Sequence, residues 1–134
     1  MRERSMTIQL LTPTPPSAEI SIKRRESGSY TAITLYYQDT LIGHAHMKLI
    51  TKNHESSLLL WNIHVDSNYR GRGFGTLLLQ IVEDYARAAR ISKIILEAVP
   101  GAEKFYENNG YICESHSETQ QDSMLKPFVK TLLS

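Results

Sequence analysis

The stretch 70-RGRGFG-75 places two arginines and three glycines directly before an apolar-striped segment. A helix start offers unpaired N–H groups and a partial positive charge, and both favour an anion. Glycine at 71, 73 and 75 removes the Cβ atoms that would hold a diphosphate off the backbone. Arg70 and Arg72 can add charge-assisted bonds from outside. The spacing is neither the dinucleotide fingerprint G-x-G-x-x-G nor the phosphate loop G-x-x-x-x-G-K-[ST]. On these residues alone, an anion cradle and a plain chain-reversing turn both stay open.

Three other groups of residues have chemical potential. Glu97 interrupts the apolar run 94-IILEAV-99, where burial would raise a carboxylate's pKa and suit it to act as a base. A strand-end glutamate reaching solvent is the competing reading. Period-two alternation puts His44 and His46 on one strand face, opposite Leu41, Gly43, Ala45 and Met47, and puts Asn62 and His64 on a shared face of the next strand. If those faces coincide, three imidazoles meet, as a base or acceptor pocket, a metal site, or a merely polar sheet face. No carboxylate or thiolate accompanies them at ligand spacing, so no metal is expected and the polar face is the favoured reading, with His64 a reserve base. Cys113, the single cysteine, reads as a small packed residue.

The elements that position these groups follow from periodicity. Segments 19–25, 30–37, 41–50 and 58–66 alternate as strands joined by short turns, an antiparallel meander. Segment 7–11 reads as a short strand within an otherwise irregular 1–18, broken by prolines 13, 15 and 16. From Thr76 the period becomes helical, with Leu78, Ile81, Val82, Tyr85 and Ala89 on one stripe and Gln80, Glu83, Asp84 and Arg87 opposite. Then come a buried strand at 93–99, a short helix at 102–109 closed by Gly110, a strand at 111–115, a polar loop at 116–123 and a last strand at 124–132. Pro127 predicts an edge or a bulge for that strand. The fold class is α/β, a mixed and mostly antiparallel sheet, in one domain spanning 1–134.

Fifteen basic against fourteen acidic residues give a net charge of +1, which offers no broad electrostatic surface for nucleic acid or membrane. No segment is long and apolar enough for a signal peptide or a span, and one cysteine excludes an internal disulfide. A cytoplasmic setting is the expectation.

Two motifs then converge on a family. Arg70, Gly73 and Gly75 match [QR]-x-x-G-x-[GA], and Ala102, Phe105, Tyr106, Gly110 and Tyr111 match A-x-x-[FLIY]-Y-x-x-x-G-[FY]. With these, and a closing 124-MLKPF-128, residues 58–132 resemble the GCN5-related N-acetyltransferase family, nearest to its ribosomal-protein-alanine acetyltransferases. The resemblance implies helices after the fourth and fifth strands, counted from residue 19, with the usual N-terminal helices reduced or absent. It implies acetyl-CoA as cosubstrate, its diphosphate on the amides of 71–76, held by Ile63, His64, Val65, Arg70, Gly71, Arg72, Gly73, Phe74, Gly75, Thr76 and Tyr106. It also implies transfer to a primary amine of unspecified identity, with Tyr106 as general acid and Glu97 as base; core packing beside Phe105 is the other role for Tyr106. A phenol near pKa of about 10 stays protonated at neutral pH and can supply a thiolate whose conjugate acid titrates near about 8.5. A coenzyme-A-binding module without turnover is the competing class. The absent pocket helices predict exposed apolar surface around Leu35, Tyr36, Tyr37 and Ile42, and with it a homodimer.

Overall fold

The computed structural model describes residues 2–9, 19–114 and 125–132. Its chain order is β1 (Arg2–Gln9), β2 (Glu19–Ser27), β3 (Tyr30–Tyr37), β4 (Thr40–Lys52), β5 (Glu55–Val65), a 3₁₀ turn (Ser67–Tyr69), α1 (Phe74–Ala88), β6 (Lys93–Ala98), α2 (Glu103–Asn108), β7 (Ile112–Cys113) and β8 (Lys126–Thr131). One sheet runs β1-β2-β3-β4-β5-β6-β8-β7. Every neighbouring pair is antiparallel except β5–β6. The expected mixed, mostly antiparallel architecture is therefore present, and no helix interrupts the meander between residues 19 and 65. No helix among the described residues is long and apolar enough to cross a membrane.

The sheet's inner face carries the core. Ile22, Leu35, Ile33, Ala45, Met47, Leu58 and Leu60 are buried there beneath Leu78, Leu79, Val82 and Ala86 of α1. Among the described residues no helix lies over the outer face. Cross-strand partners form rungs on that side: Lys23, Thr34, His44 and His64 in one, Arg25, Ala32, His46 and Asn62 in the next.

Several expectations change. The first strand spans 2–9 instead of 7–11, so part of the segment expected to be irregular pairs with β2 from Arg2↔Glu26 to Gln9↔Glu19. The β4–β5 connection shrinks to a tight turn at Asn53 and His54, both with positive φ, as two-residue hairpins require. The strand expected at 111–115 contracts to Ile112–Cys113. Residues 115–124, including the whole polar loop and Met124, lie outside the described residues. Pro127 sits on an interior strand, since β8 lies between β6 and β7. It is tolerated because it is the second residue of that strand, before the ladder to β7 begins at Phe128.

Two β-bulges decide which side chains face where. Between Leu35↔Gly43 and Tyr36↔Leu41 the β3–β4 register slips, leaving Ile42 as the extra residue. Ile42 is consequently fully buried and Leu41 is exposed, the reverse of strict alternation. Leu35 is fully buried as well, and Tyr36 and Tyr37 are half-buried, so most of the apolar surface expected to seek a partner is already covered. The second slip lies between Met47↔Leu60 and His46↔Asn62, with Trp61 as the extra residue. Past it, Ile63 and Val65 pack against the core while Asn62 and His64 point outward.

Glu83 was expected on the solvent side of α1. It is buried, accepting from the Tyr111 hydroxyl at 3.1 Å and from Lys130 Nζ at 3.0 Å. Lys130 also donates to the Asn109 carbonyl at 2.9 Å, so one carboxylate ties α1 to β8 and to the end of α2. Gly110, at φ +90, closes α2 as the composition predicted: the Tyr111 amide returns to the Tyr106 carbonyl at 3.0 Å.

Candidate functional site

Four residue pairs, Ser57↔Lys93 to Leu60↔Leu96, join β5 to β6. Beyond them the strands separate, and among the described residues no strand pairs with 61–65 on the β6 side. The gap leads into a cleft of about 370 Å³ walled by Ile63, Val65, Tyr69, Phe74 and Phe105 and floored by the glycine loop and Thr76.

The loop's conformation explains its composition. Gly71 and Gly73 have φ of +75° and +86°, which L side chains rarely adopt, and a Cβ on either would meet nothing within 4 Å. Gly73 is the N-cap of α1, which starts at Phe74, slightly earlier than the expected Gly75 or Thr76. The cap makes no side-chain hydrogen bond, and the first intrahelical bond runs from the Leu77 amide to the Gly73 carbonyl. The amides of Phe74, Gly75 and Thr76 are thereby left without intrahelical partners at the cleft floor. No acidic residue occupies the helix's first turn to compete with an incoming anion.

Gly75 has another purpose than the one expected. A Cβ there would come within 3.1 Å of the Phe105 ring, so the missing side chain lets α1 and α2 approach each other. Arg70 is also engaged: its Nε donates to the Val65 carbonyl at 3.0 Å and pins the loop to the end of β5. Arg72 lies over the Tyr69 ring at 5.7 Å and does not line the cleft.

The structure thus gathers Ile63, Val65, Arg70, Gly71, Gly73, Phe74, Gly75 and Thr76 around one cleft. His64 lies between two of them in sequence but faces the other side of the sheet. Tyr106 is 7% exposed, behind Phe105 (ring centroids 5.1 Å apart) and against Tyr111 and Phe128. Among the described residues nothing hydrogen-bonds its hydroxyl, and burial pushes its pKa up. Glu97 is exposed, so the desolvation on which its tuning as a base rested is absent; it alternates with Leu96 and Ala98, the buried members of β6.

On the outer face the expected imidazole cluster forms. His44 and His46 stack at 4.7 Å, His44 and His64 lie 5.5 Å apart, and the Asn62 amide donates to His44 Nε2 at 3.2 Å and to His46 Nδ1 at 3.4 Å. In each of these bonds the ring nitrogen is the acceptor. Burial first, then the neighbouring His46 and His64, hold the His44 pKa below its usual value. Among the described residues no group of three potential ligands is arranged for a metal. Reading the sequence did not single out Trp61, Tyr69 or Phe105 for the site. Phe105 stands in the second motif, but the exposure of Trp61 depends on a bulge that alternation does not reveal.

A sequence model of the acetyltransferase (GNAT) family matches residues 3–111. Among solved structures, the PaiA N-acetyltransferase of Thermoplasma acidophilum, in complex with coenzyme A, superposes with a TM-score of 0.66 at 20% identity, over 78% of this chain and 62% of its own. Arabidopsis thaliana Naa50, in complex with a bisubstrate analogue, gives 0.64 at 22% identity, over 75% of this chain and 72% of its own. N-acetylglutamate synthase of Neisseria gonorrhoeae, complexed with coenzyme A and N-acetyl-glutamate, gives 0.63 at 18% identity, over 79% of this chain and 26% of its own. The chain thus spans less than two thirds of the Thermoplasma protein, and at these identities the likeness establishes the fold.

Proposed function

The chain belongs to the acetyltransferase (GNAT) family, and from that premise we propose that residues 1–134 form one catalytic domain that transfers an acetyl group from acetyl-CoA to a primary amine. The observation that carries this reading is the set of free amides at Phe74, Gly75 and Thr76, at the floor of a cleft continuous with the parted edges of β5 and β6. The amides suit a diphosphate, and the edge of β5 beyond Leu60, which no described strand pairs on the β6 side, suits an extended amide-bearing arm. Coenzyme A presents both chemistries, and its thioester supplies the activated acetyl group.

In this reading Ile63, Val65 and Phe105 exclude water along the arm, and Arg70 acts by holding the loop in place. Tyr106 keeps its proton through neutral pH and supplies it to the departing sulfur. Its hydroxyl, which has no partner among the described residues, suits that role. Deprotonation of the amine falls to Glu97 or His64, both exposed on the outer face. Glu97 stands next to the point where the strands part, and His64 belongs to the imidazole cluster, 5.5 Å from His44.

Calorimetry with coenzyme A tests the cradle. Gly73→Val puts a branched side chain at φ +86 and into the loop, and at least a tenfold loss of affinity is expected, about 1.4 kcal/mol. Unchanged affinity in a folded variant would sink the assignment. A coenzyme A release assay over an amine panel separates enzyme from silent binding module, since acceptor-dependent release excludes the module.

A homodimer is the second assembly reading, favoured by Tyr30, Leu41 and Trp61, which stay exposed on the bare outer face. The lone cysteine fits a reducing cytoplasm, which fractionation of the native protein would test.

A further inference from the structure

The helix that carries Tyr106 has six residues, too few to hold its own shape in water, and Tyr106 is its single buried residue. At its N-terminal end Glu103 accepts from the Gly101 amide at 2.9 Å and pairs with Lys126 at 3.3 Å. A pair so open to solvent holds little. The C-terminal end is held from inside. The Tyr106 carbonyl accepts from the Asn109 and Tyr111 amides, both at 3.0 Å, and Asn109 Nδ2 donates to the Phe105 carbonyl at 2.8 Å. Lys130 Nζ donates to the Asn109 carbonyl at 2.9 Å and to the Glu83 carboxylate at 3.0 Å. The Tyr111 hydroxyl donates to the other Glu83 oxygen at 3.1 Å, and Arg87 stands 3.8 Å from the oxygen that Lys130 reaches. Outside its own helix, then, both printed partners of Glu83 lead to the end of α2.

Stability alone is a poor reason for this arrangement. Taking a carboxylate and an ammonium out of water offsets much of what their attraction gains, and apolar replacements often serve a fold as well. Charge-assisted bonds do impose direction. The Tyr106 hydroxyl has no partner among the described residues, so its aim rests on the rings around it: Phe105 at 5.1 Å, Tyr111 at 5.9 Å and Phe128 at 6.2 Å. Of these three only Tyr111 can be fixed by a hydrogen bond of its own, and Glu83 supplies it.

Resting on the reading of Tyr106 as proton donor, we infer that Glu83 is a positioning residue for acetyl transfer, aiming the Tyr106 hydroxyl through Tyr111 and through the Lys130–Asn109 tie. Tyr106 gives its proton to the sulfur that keeps the electron pair of the breaking C–S bond. It recovers a proton from solvent, which takes the one that the amine loses.

Two sets of variants test this. Glu83→Gln keeps the size and removes the charge. Glu83→Leu, Tyr111→Phe and Lys130→Met together replace the network by apolar groups of similar size, so that no unpaired charge is buried. In both, turnover at saturating acetyl-CoA and amine should fall about tenfold or more while calorimetric affinity for coenzyme A stays unchanged. The loss should vanish when either set is combined with Tyr106→Phe, because no hydroxyl is left to aim. NMR of Cζ-labelled tyrosine in the free protein gives a readout that needs no turnover. The Tyr106 resonance, assigned by its absence from Tyr106→Phe, should shift, and its titration midpoint should fall toward the ordinary value of about 10. Parent-like turnover in a folded variant would overturn the inference. An equal loss in the Tyr106→Phe background would do the same, as would a parallel loss of coenzyme A affinity or an unmoved Tyr106 resonance. A Tyr106→Phe protein as active as the parent would overturn the proton-donor reading itself, and the inference with it, so the two failures are told apart.

Discussion

Tyr106 and Tyr111 lie side by side, ring centroids 5.9 Å apart, with different duties for their hydroxyls. That of Tyr111 is committed to Glu83, while that of Tyr106 has no partner among the described residues. Tyr106→Phe should therefore leave folding and coenzyme A affinity nearly intact and lower turnover about a hundredfold or more, the usual scale for general acid–base catalysis. Turnover at saturating substrate is the check, and an unchanged value would assign the ring to packing. Burial raises both pKa values, with Glu83 adding to the effect at Tyr111. Unfolded tyrosines lose their protons near a pKa of about 10, when the folded ones still hold theirs. The native state then binds more protons, so this stabilisation is complete below about pH 10 and declines as pH rises through the folded values. Melting midpoints from pH 8 to 11 should fall, and less steeply in Tyr111→Phe. The place of Tyr106 on a short helix closed by Gly110 was legible from its motif. The burial of Glu83 was not, because its partners Tyr111 and Lys130 lie 28 and 47 residues away.

At the level of elements, Gly43 has a larger part than its place in an ordinary strand suggests. A Cβ there would stand 2.4 Å from the His64 carbonyl oxygen and 3.2 Å from Val65 Cα. That contact sets the spacing of β4 and β5 where β5 carries the cleft wall on one side and the imidazoles on the other. Gly43→Ala should destabilise by about 2–3 kcal/mol, as overpacking of a tight site does, read as a lowered urea midpoint. It should also weaken coenzyme A binding, because Val65 would shift. The alternation of 19–37 and the helical period after Phe74 were plain in the sequence, since each reflects one covered face. The bulges at Ile42 and Trp61 were not. One extra residue in a strand exchanges the faces beyond it, and no local composition marks either position.

For the whole molecule, the family fold was legible because its two motifs sit at α1 and α2, where backbone geometry restricts residue choice. A crevice beside Trp61 on the outer face was not, since it is built from rungs across β2, β3, β4 and β5. The outer-face cations make a monomer the expected state: light scattering at micromolar concentration should give a mass near 15.3 kDa. A mass near twice that would support the dimer and a shared acceptor wall. The four-pair parallel seam between β5 and β6 also divides the domain by topology. On one side are hairpins closed by tight turns; on the other, β6 and β8 join the sheet through that seam and through α1. Hairpins are recovered from short chain searches, whereas a parallel pairing must close a long loop each time it re-forms. The C-terminal half is therefore expected to exchange its amide hydrogens as one unit and ahead of the meander, starting at the edge where the cosubstrate's arm would lie, and native-state hydrogen exchange is the check. A bound arm would bridge the two halves there, making occupancy of the cleft a brake on the protein's own unfolding.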